Sequence, residues 1–493
     1  FRSPIERAIQ LHAIPYGTPA IDPSVHGNYN TARNSNRCIR YLLHHSNQLK
    51  KYFEPVMMNV ATRGVLRAVS KKGTAVGRQG KLFSTLVDAT EEYPGLPALS
   101  PEPAKASNAS VSTLPSGLVV VTEDACTTST VTMTYPNGGS SSESLEEQGA
   151  ALINKCLAFN SGSGLSTIVI NRTIENEGAI PFAKADRTSA TLGYTVEPDN
   201  ALGLVPLLAL DCTFEKWDVR DAKKLAKYQI DEANKSLEVV LTEQIYAAAY
   251  GATSAMGRPF YSAVASPADV ASFRSRGYGI NGAILTATGI KDHAAFCTEV
   301  ESLLAEAPKS ASSASVDSVI LGGESRLSSP SMGYAHVAVA FEAKADAPVR
   351  NILKHCFALT GKEAGVSSFE TGGMVGVYAS APSEGVGALD AVITDTLTAS
   401  LTPEVIAKAK VLAKAEATFD LDCGSVGLAA AMTSAVMESG SFLNASATAG
   451  AYDSVSESDV ASAASAMLKS NPALAAVGDI GVVPYQGTFA SRL

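Results

Sequence analysis

Between residues 114 and 196 the chain switches repeatedly between two hydrophobic periods. LPSGLVVVTED (114–124) sets a turn at Pro115-Ser116-Gly117 ahead of a β-branched run and predicts a strand. TSTVTMTYPNGG (128–139) places Val131, Met133 and Tyr135 on alternate positions and stops at Asn137-Gly138, a second strand ending in a turn. Ser144 to Phe159 reads as an apolar helix opened by a Ser-x-x-Glu capping box, Ser144 with Glu147. A further helix ends at Gly178, and two alternating strands run from Ala179 to Val196. Beyond them the pattern predicts an apolar helix over 200–212 and a long helical region from Asp218 to Tyr250. A helix capped by Ser266, a buried strand in GAILTATG (282–289) and a helix from Lys291 to Glu306 follow.

The order of elements then recurs. AHVAVAFEA (335–343) is a strand followed by the helix PVRNILKHCFAL (348–359). GMVGVYASA (373–381) is a strand followed by a helix from Gly385 to Leu397. A long helical region from Pro403 to Glu438, a capped helix in SESDVASAASAML (456–468) and a closing strand in ALAAVGD (473–479) complete the series. Similar phrases pair Gly193 with Gly376, Val270 with Val460 and Gly289 with Gly478, offsets of 183, 190 and 189. That period is too long for a solenoid. The expectation is an α+β fold of two tandem homologous domains of about 190 residues, each a mostly antiparallel sheet covered by helices on one face. The first domain spans 112–306, the small, polar stretch 307–318 is a linker, and the second domain spans 319–485.

Charge separates the front of the chain from this body. Residues 1–85 hold 13 Lys and Arg against 3 acids, and the remainder 26 against 45. An acidic body argues against a nucleic-acid partner, which needs clustered cations for phosphate. Residues 57–85, with Arg63, Arg67 and Lys71 on one helical face and no acid, have the composition of a mitochondrial transit peptide. Residues 1–56 lack that pattern and are expected to be an upstream or artefactual extension. The Pro-, Ala- and Ser-rich 86–111 reads as a flexible lead-in. No uncharged apolar run reaches the length of a transmembrane helix. The seven cysteines are dispersed without a CxxC pair, the usage of a reducing compartment.

The body offers little chemistry. Past residue 85 the only histidines are His293, His336 and His355, with no pair at metal-ligand spacing. Neither a GxSxG nucleophile elbow nor a GxxxxGK[ST] phosphate loop occurs. Cys156 has only Lys155 as a charged neighbour, about 100° away on the helix, and reads as a structural thiol. No catalytic, cofactor-binding or metal-ligating residue is assigned, and no cofactor is expected.

The tandem halves, the start at LPSGLVVVTED, and GAALINKCLAF followed by IENEGAIPFAKADRTSATLGYTV resemble the pitrilysin-type zinc peptidases. In active members this helix carries His-x-x-Glu-His, with a distal Glu some 75 residues on. By resemblance the first His falls on Leu152, the Glu on Lys155, the second His on Cys156 and the distal Glu near Gln229. The resemblance therefore implies a degenerate, non-catalytic member.

LGGESRLSSPSMGYAHVAVAFEA, SSFETGGMVGVYASAP and the run from AKAKVLAKAEATF to MESG are most similar to core protein 2 of mitochondrial ubiquinol–cytochrome c reductase (complex III). The non-catalytic α subunit of the mitochondrial processing peptidase is the alternative, although its long glycine-rich loop finds no equivalent run. Either resemblance implies a matrix-side, peripheral protein of the inner membrane without a transmembrane segment of its own. Its partner would be core protein 1 or a β-type processing subunit, together with other complex III subunits. Electron transfer would be by association only.

Overall fold

Eleven strands form two sheets in the computed structural model, which describes residues 108–211, 214–310, 319–399 and 401–492. The first sheet contains β1 (Ala109–Thr113), β2 (Val119–Glu123), β3 (Ser129–Tyr135), β4 (Ile180–Ala185), β5 (Ala190–Val196) and β6 (Ile284–Ala287). Its order is β1-β2-β6-β3-β5-β4, and only β2 with β6 is parallel. The second contains β7 (Gly323–Ser328), β8 (Tyr334–Glu342), β9 (Ser367–Thr371), β10 (Met374–Pro382) and β11 (Ala473–Gly478). Its order is β7-β11-β8-β10-β9, with only β7 and β11 parallel. With β1 set aside, the two topologies are the same, so the sequence repeat is a repeat of fold.

One detail binds the two copies. Gly193 on β5 lies opposite Phe182 of β4, and Gly376 on β10 lies opposite Phe369 of β9. A Cβ on either glycine would stand 2.6 Å from the Cζ of that ring. Each glycine makes the floor on which an aromatic ring lies, and the pairing read from sequence is a packing equivalence.

The helices of the first half are α1 (Ala150–Cys156), α2 (Thr167–Asn176), α3 (Val205–Leu208), α4 (Lys216–Ala233), α5 (Leu237–Tyr250), α6 (Pro267–Gly277) and α7 (His293–Leu303). Those of the second are α8 (Ala347–Gly361), α9 (Leu389–Thr398), α10 (Pro403–Leu421), α11 (Gly424–Ser439), α12 (Ala445–Ser454), α13 (Glu457–Leu468) and α14 (Gln486–Ala490). Ser266 with Asp269 and Ser456 with Asp459 form matching capping boxes at α6 and α13. They seat the buried Val270 and Val460 at equivalent places. Each half has its own core between one sheet face and its helices.

The other sheet faces are not bare, which corrects the one-face expectation. Helix α5 of the first half crosses onto the second sheet. There Leu241, Ile245 and Ala249 pack with Ala338, Ala340, Met374 and Ala475. Helix α11 of the second half crosses onto the first sheet, where Leu428, Met432 and Val436 pack with Val121 and Ile284. Thr130 Oγ1 donates to Ser425 Oγ at 2.8 Å, and Thr286 and Thr433 share a hydrogen bond of 2.9 Å across the same contact. Each half therefore completes the other.

Boundaries differ from the expectation in several places. The lead-in ends early, because β1 begins at Ala109 and pairs with β2. The second half runs past 485, since Phe489 of α14 is buried in its core. The apolar stretch 200–212 yields only the single turn α3, Pro206 lying within it. Strands β7 and β9 and helix α12 have no counterpart in the sequence reading. The expectations for residues 1–56 and 57–85, most of 86–111, and 311–318 of the linker lie outside the described residues. No helix of the described residues is long and apolar enough to cross a membrane.

Candidate functional site

Helix α1 is shorter than its pattern because Gly149 sits at φ 87°, a conformation no helix interior accepts. Residues 146–149 are turns, and Ser144 keeps only one arm of the expected box, its N–H donating to Glu147 Oε2. The start of α1 is held instead by Glu143. Its two carboxylate oxygens accept from the backbone N–H groups of Gly149 and Ala151 at 2.9 and 2.8 Å. Burial pushes this carboxyl up to about 7, against the lowering by those two bonds. Phe159 at φ 58° turns the chain away after α1.

Helix α4 packs along α1, opened by a reciprocal cap between Glu215 and Asp218. Lys155 Nζ donates to Gln229 Oε1 at 3.2 Å, so the two positions that the resemblance pairs 74 residues apart are in contact. Leu152 is fully buried. Cys156 is partly buried, and burial raises its thiol against the opposing charge of Lys155. The structure thus brings together all the elements that the sequence reading aligned.

The chemistry of this set does not fit a zinc ion. Leu152 has no donor atom, an ammonium repels a cation, and Gln229 offers a neutral amide already bonded to Lys155. Lys155 cannot serve as a carboxylate base for water. Among the described residues no group of three or more His, Cys, Asp and Glu is placed to hold a metal. A cavity of about 260 Å³ opens near Leu118, Ile280 and Leu304, and none of the four positions lines it.

The second half carries the counterpart of this helix contact, a cluster the sequence reading missed. Gln229 is the fourteenth residue of α4 and Glu416 the fourteenth of α10. Glu416 Oε2 accepts from Lys354 Nζ at 2.6 Å and from His355 Nε2 at 2.9 Å, both on α8. Those bonds, the one from His355 foremost, hold the Glu416 carboxyl at about 2. The equal depth of the two residues in matched helices was the available signal. The other histidines are apart. His293 bonds Thr122 Oγ1 and Ser112 Oγ, and His336 bonds the Tyr378 hydroxyl.

Residues 118–261 match the family model described as Insulinase (Peptidase family M16), and the chain carries a peptidase M16 domain. It is homologous to α subunits of the mitochondrial processing peptidase. One relative is the "Mitochondrial-processing peptidase subunit alpha" of Solanum tuberosum, 28% identical over 253 residues, 49% of this chain and 48% of that protein. Another is the "Mitochondrial-processing peptidase subunit alpha-2" of Dictyostelium discoideum, 24% identical over 406 residues, 73% of this chain and 88% of that protein. The chain thus spans about half the length of the potato relative and most of the Dictyostelium one. Its fold is shared with a chain of complex III2 from Candida albicans solved with Inz-5 bound. That match has a TM-score of 0.66 at 17% identity and covers 78% of this chain and 99% of the other.

Proposed function

We propose that the chain is a non-catalytic structural core subunit of mitochondrial ubiquinol–cytochrome c reductase (complex III), peripheral on the matrix side of the inner membrane and supporting assembly of that complex. The observation that carries the non-catalytic part is the Lys155–Gln229 bond, which fills with an ammonium and an amide the place where the family's zinc set would lie. The fold shared with nearly the whole of a complex III2 chain supports the architectural part. Its partner in this reading is core protein 1, with the other complex III subunits around it. Native-gel fractionation tests it: the chain should migrate with haem absorbance, and a stable pool free of haem as its only form would overturn the reading.

The second reading is a substrate-binding, α-type subunit of the processing peptidase, favoured by the sequence relatives. It requires a β-type partner bearing His-x-x-Glu-His. Adding this chain to that partner should then raise cleavage of a presequence peptide, and unchanged cleavage argues against it. In either reading residues 57–85 act as a transit peptide, so the mature protein should begin at about residue 80 to 90.

A further inference from the structure

Helices α4 and α10 occupy equivalent places in the two halves and bury the same positions: Val219, Ala222 and Ala226 in one, Ile406, Ala409 and Ala413 in the other. Their lysines are equivalent too. Lys223 and Lys410 are the eighth residues of their helices, and Lys227 and Lys414 the twelfth.

In the second half these lysines grip the end of α12. Lys410 Nζ donates to the carbonyls of Asp453 and Val455, both at 2.9 Å, and Lys414 Nζ to the Asp453 carboxylate at 2.6 Å. A helix C-terminus carries partial negative charge, so the pair binds a carbonyl cluster and a carboxylate at once. The first half has no α12. Its chain between α5 and α6 runs elsewhere, with Arg258 on Glu143, Phe260 on Glu243 and Ala265 on Gln148.

Lys223 and Lys227 consequently make no hydrogen bond or ion pair among the described residues, and Lys223 is near enough to Asp269 on α6 for its charge to add to the Ser266 hydrogen bonds that lower that carboxyl. Beside them the solvent face of α4 exposes Trp217 (57%) and Tyr228 (61%), residue types that anchor interfaces when partnered.

We propose that this face of α4 is a docking site for another protein. The segment it takes is a helix C-terminus bearing a carboxylate, supplied in trans where α12 supplies it in cis in the second half. The proposal does not depend on which mitochondrial assembly the chain joins.

Zero-length carbodiimide coupling of the native complex, purified through the tagged full chain, tests it. The reagent joins an ammonium to a carboxylate in direct contact, and Lys414 to Asp453 is the internal control. The expected result is Lys223 or Lys227 joined to an Asp or Glu at a helix end of another polypeptide, alongside the control link. Recovery of the control with Lys223 and Lys227 unmodified, or linked only to Asp269 of their own chain, overturns the proposal. Lys223→Glu with Lys227→Glu should release that polypeptide at unchanged melting temperature, whereas Lys362→Glu with Lys469→Glu should retain it. Release by both pairs, or by neither, also overturns it. Trp217, the chain's single tryptophan, should emit to the blue in the complex relative to the Lys223→Glu, Lys227→Glu chain.

Discussion

At the scale of the residue, two carboxyls, the buried Glu143 and the half-exposed Glu416, titrate in opposite directions. Glu143 is raised to about 7 against an unfolded carboxyl near about 4.3, so the folded chain holds a proton that the unfolded chain has lost. Its contribution is complete below about pH 4.3 and is lost as pH rises to about 7. A melting series across that window should show the decline, and Glu143→Gln should flatten it. Glu416, held at about 2, works the other way: its contribution stands above about pH 4.3 and is lost as pH falls towards 2. Glu416→Gln should lower acid resistance, by about 1 kcal/mol or less because the group is half exposed. The degenerate site makes a third prediction. Leu152→His, Lys155→Glu, Cys156→His and Gln229→Glu together should bring stoichiometric zinc into the purified chain, measured by elemental analysis. All four positions followed from the resemblance. The first three share one helix turn, so their spacing needs no tertiary information, whereas no local pattern reveals which helix lies against α1.

At the scale of the element, the glycine floors are the sharpest test of the repeat. Gly193→Ala pushes a methyl into a phenylalanine ring and should cost about 1–3 kcal/mol in thermal or denaturant unfolding, and Gly376→Ala, whose methyl meets the Val339 carbonyl as well as the ring, should cost at least as much. Pairing Gly193→Ala with Phe182→Leu should recover part of the loss. The strands with strict alternation or a β-branched run were legible, as were the helices with Ser caps and the glycine that ends α2. What was not legible has physical causes. Strand β7 is a half-exposed edge whose sequence GESRLS has no apolar period. Strand β9 is short, and α12 is small and polar. Helix α1 lost its first turn to a single glycine conformation. Helices α5 and α11 carry apolar residues on nearly every face, a sign of burial on more than one side. That sign told of a second contact but not with which half.

At the scale of the molecule, the crossing helices make the halves interdependent. Expressed alone, residues 108–310 would leave the Val121–Ile284 face uncovered, and residues 319–492 would leave the Ala338–Ala475 face uncovered. Each piece should aggregate alone and become soluble on co-expression, as sedimentation would report. Truncating Met432, fully buried between the halves, to Ala should cost about 2–5 kcal/mol and should not separate into two melting transitions. The same exchange of α5 and α11 has an evolutionary consequence. Two reciprocal embraces hold the halves in their relation, whatever joins residues 310 and 319. A gene split at this point would still encode one particle, its two products finding each other as obligate mates, and neither could drift in sequence on its sheet face without the other's helix following.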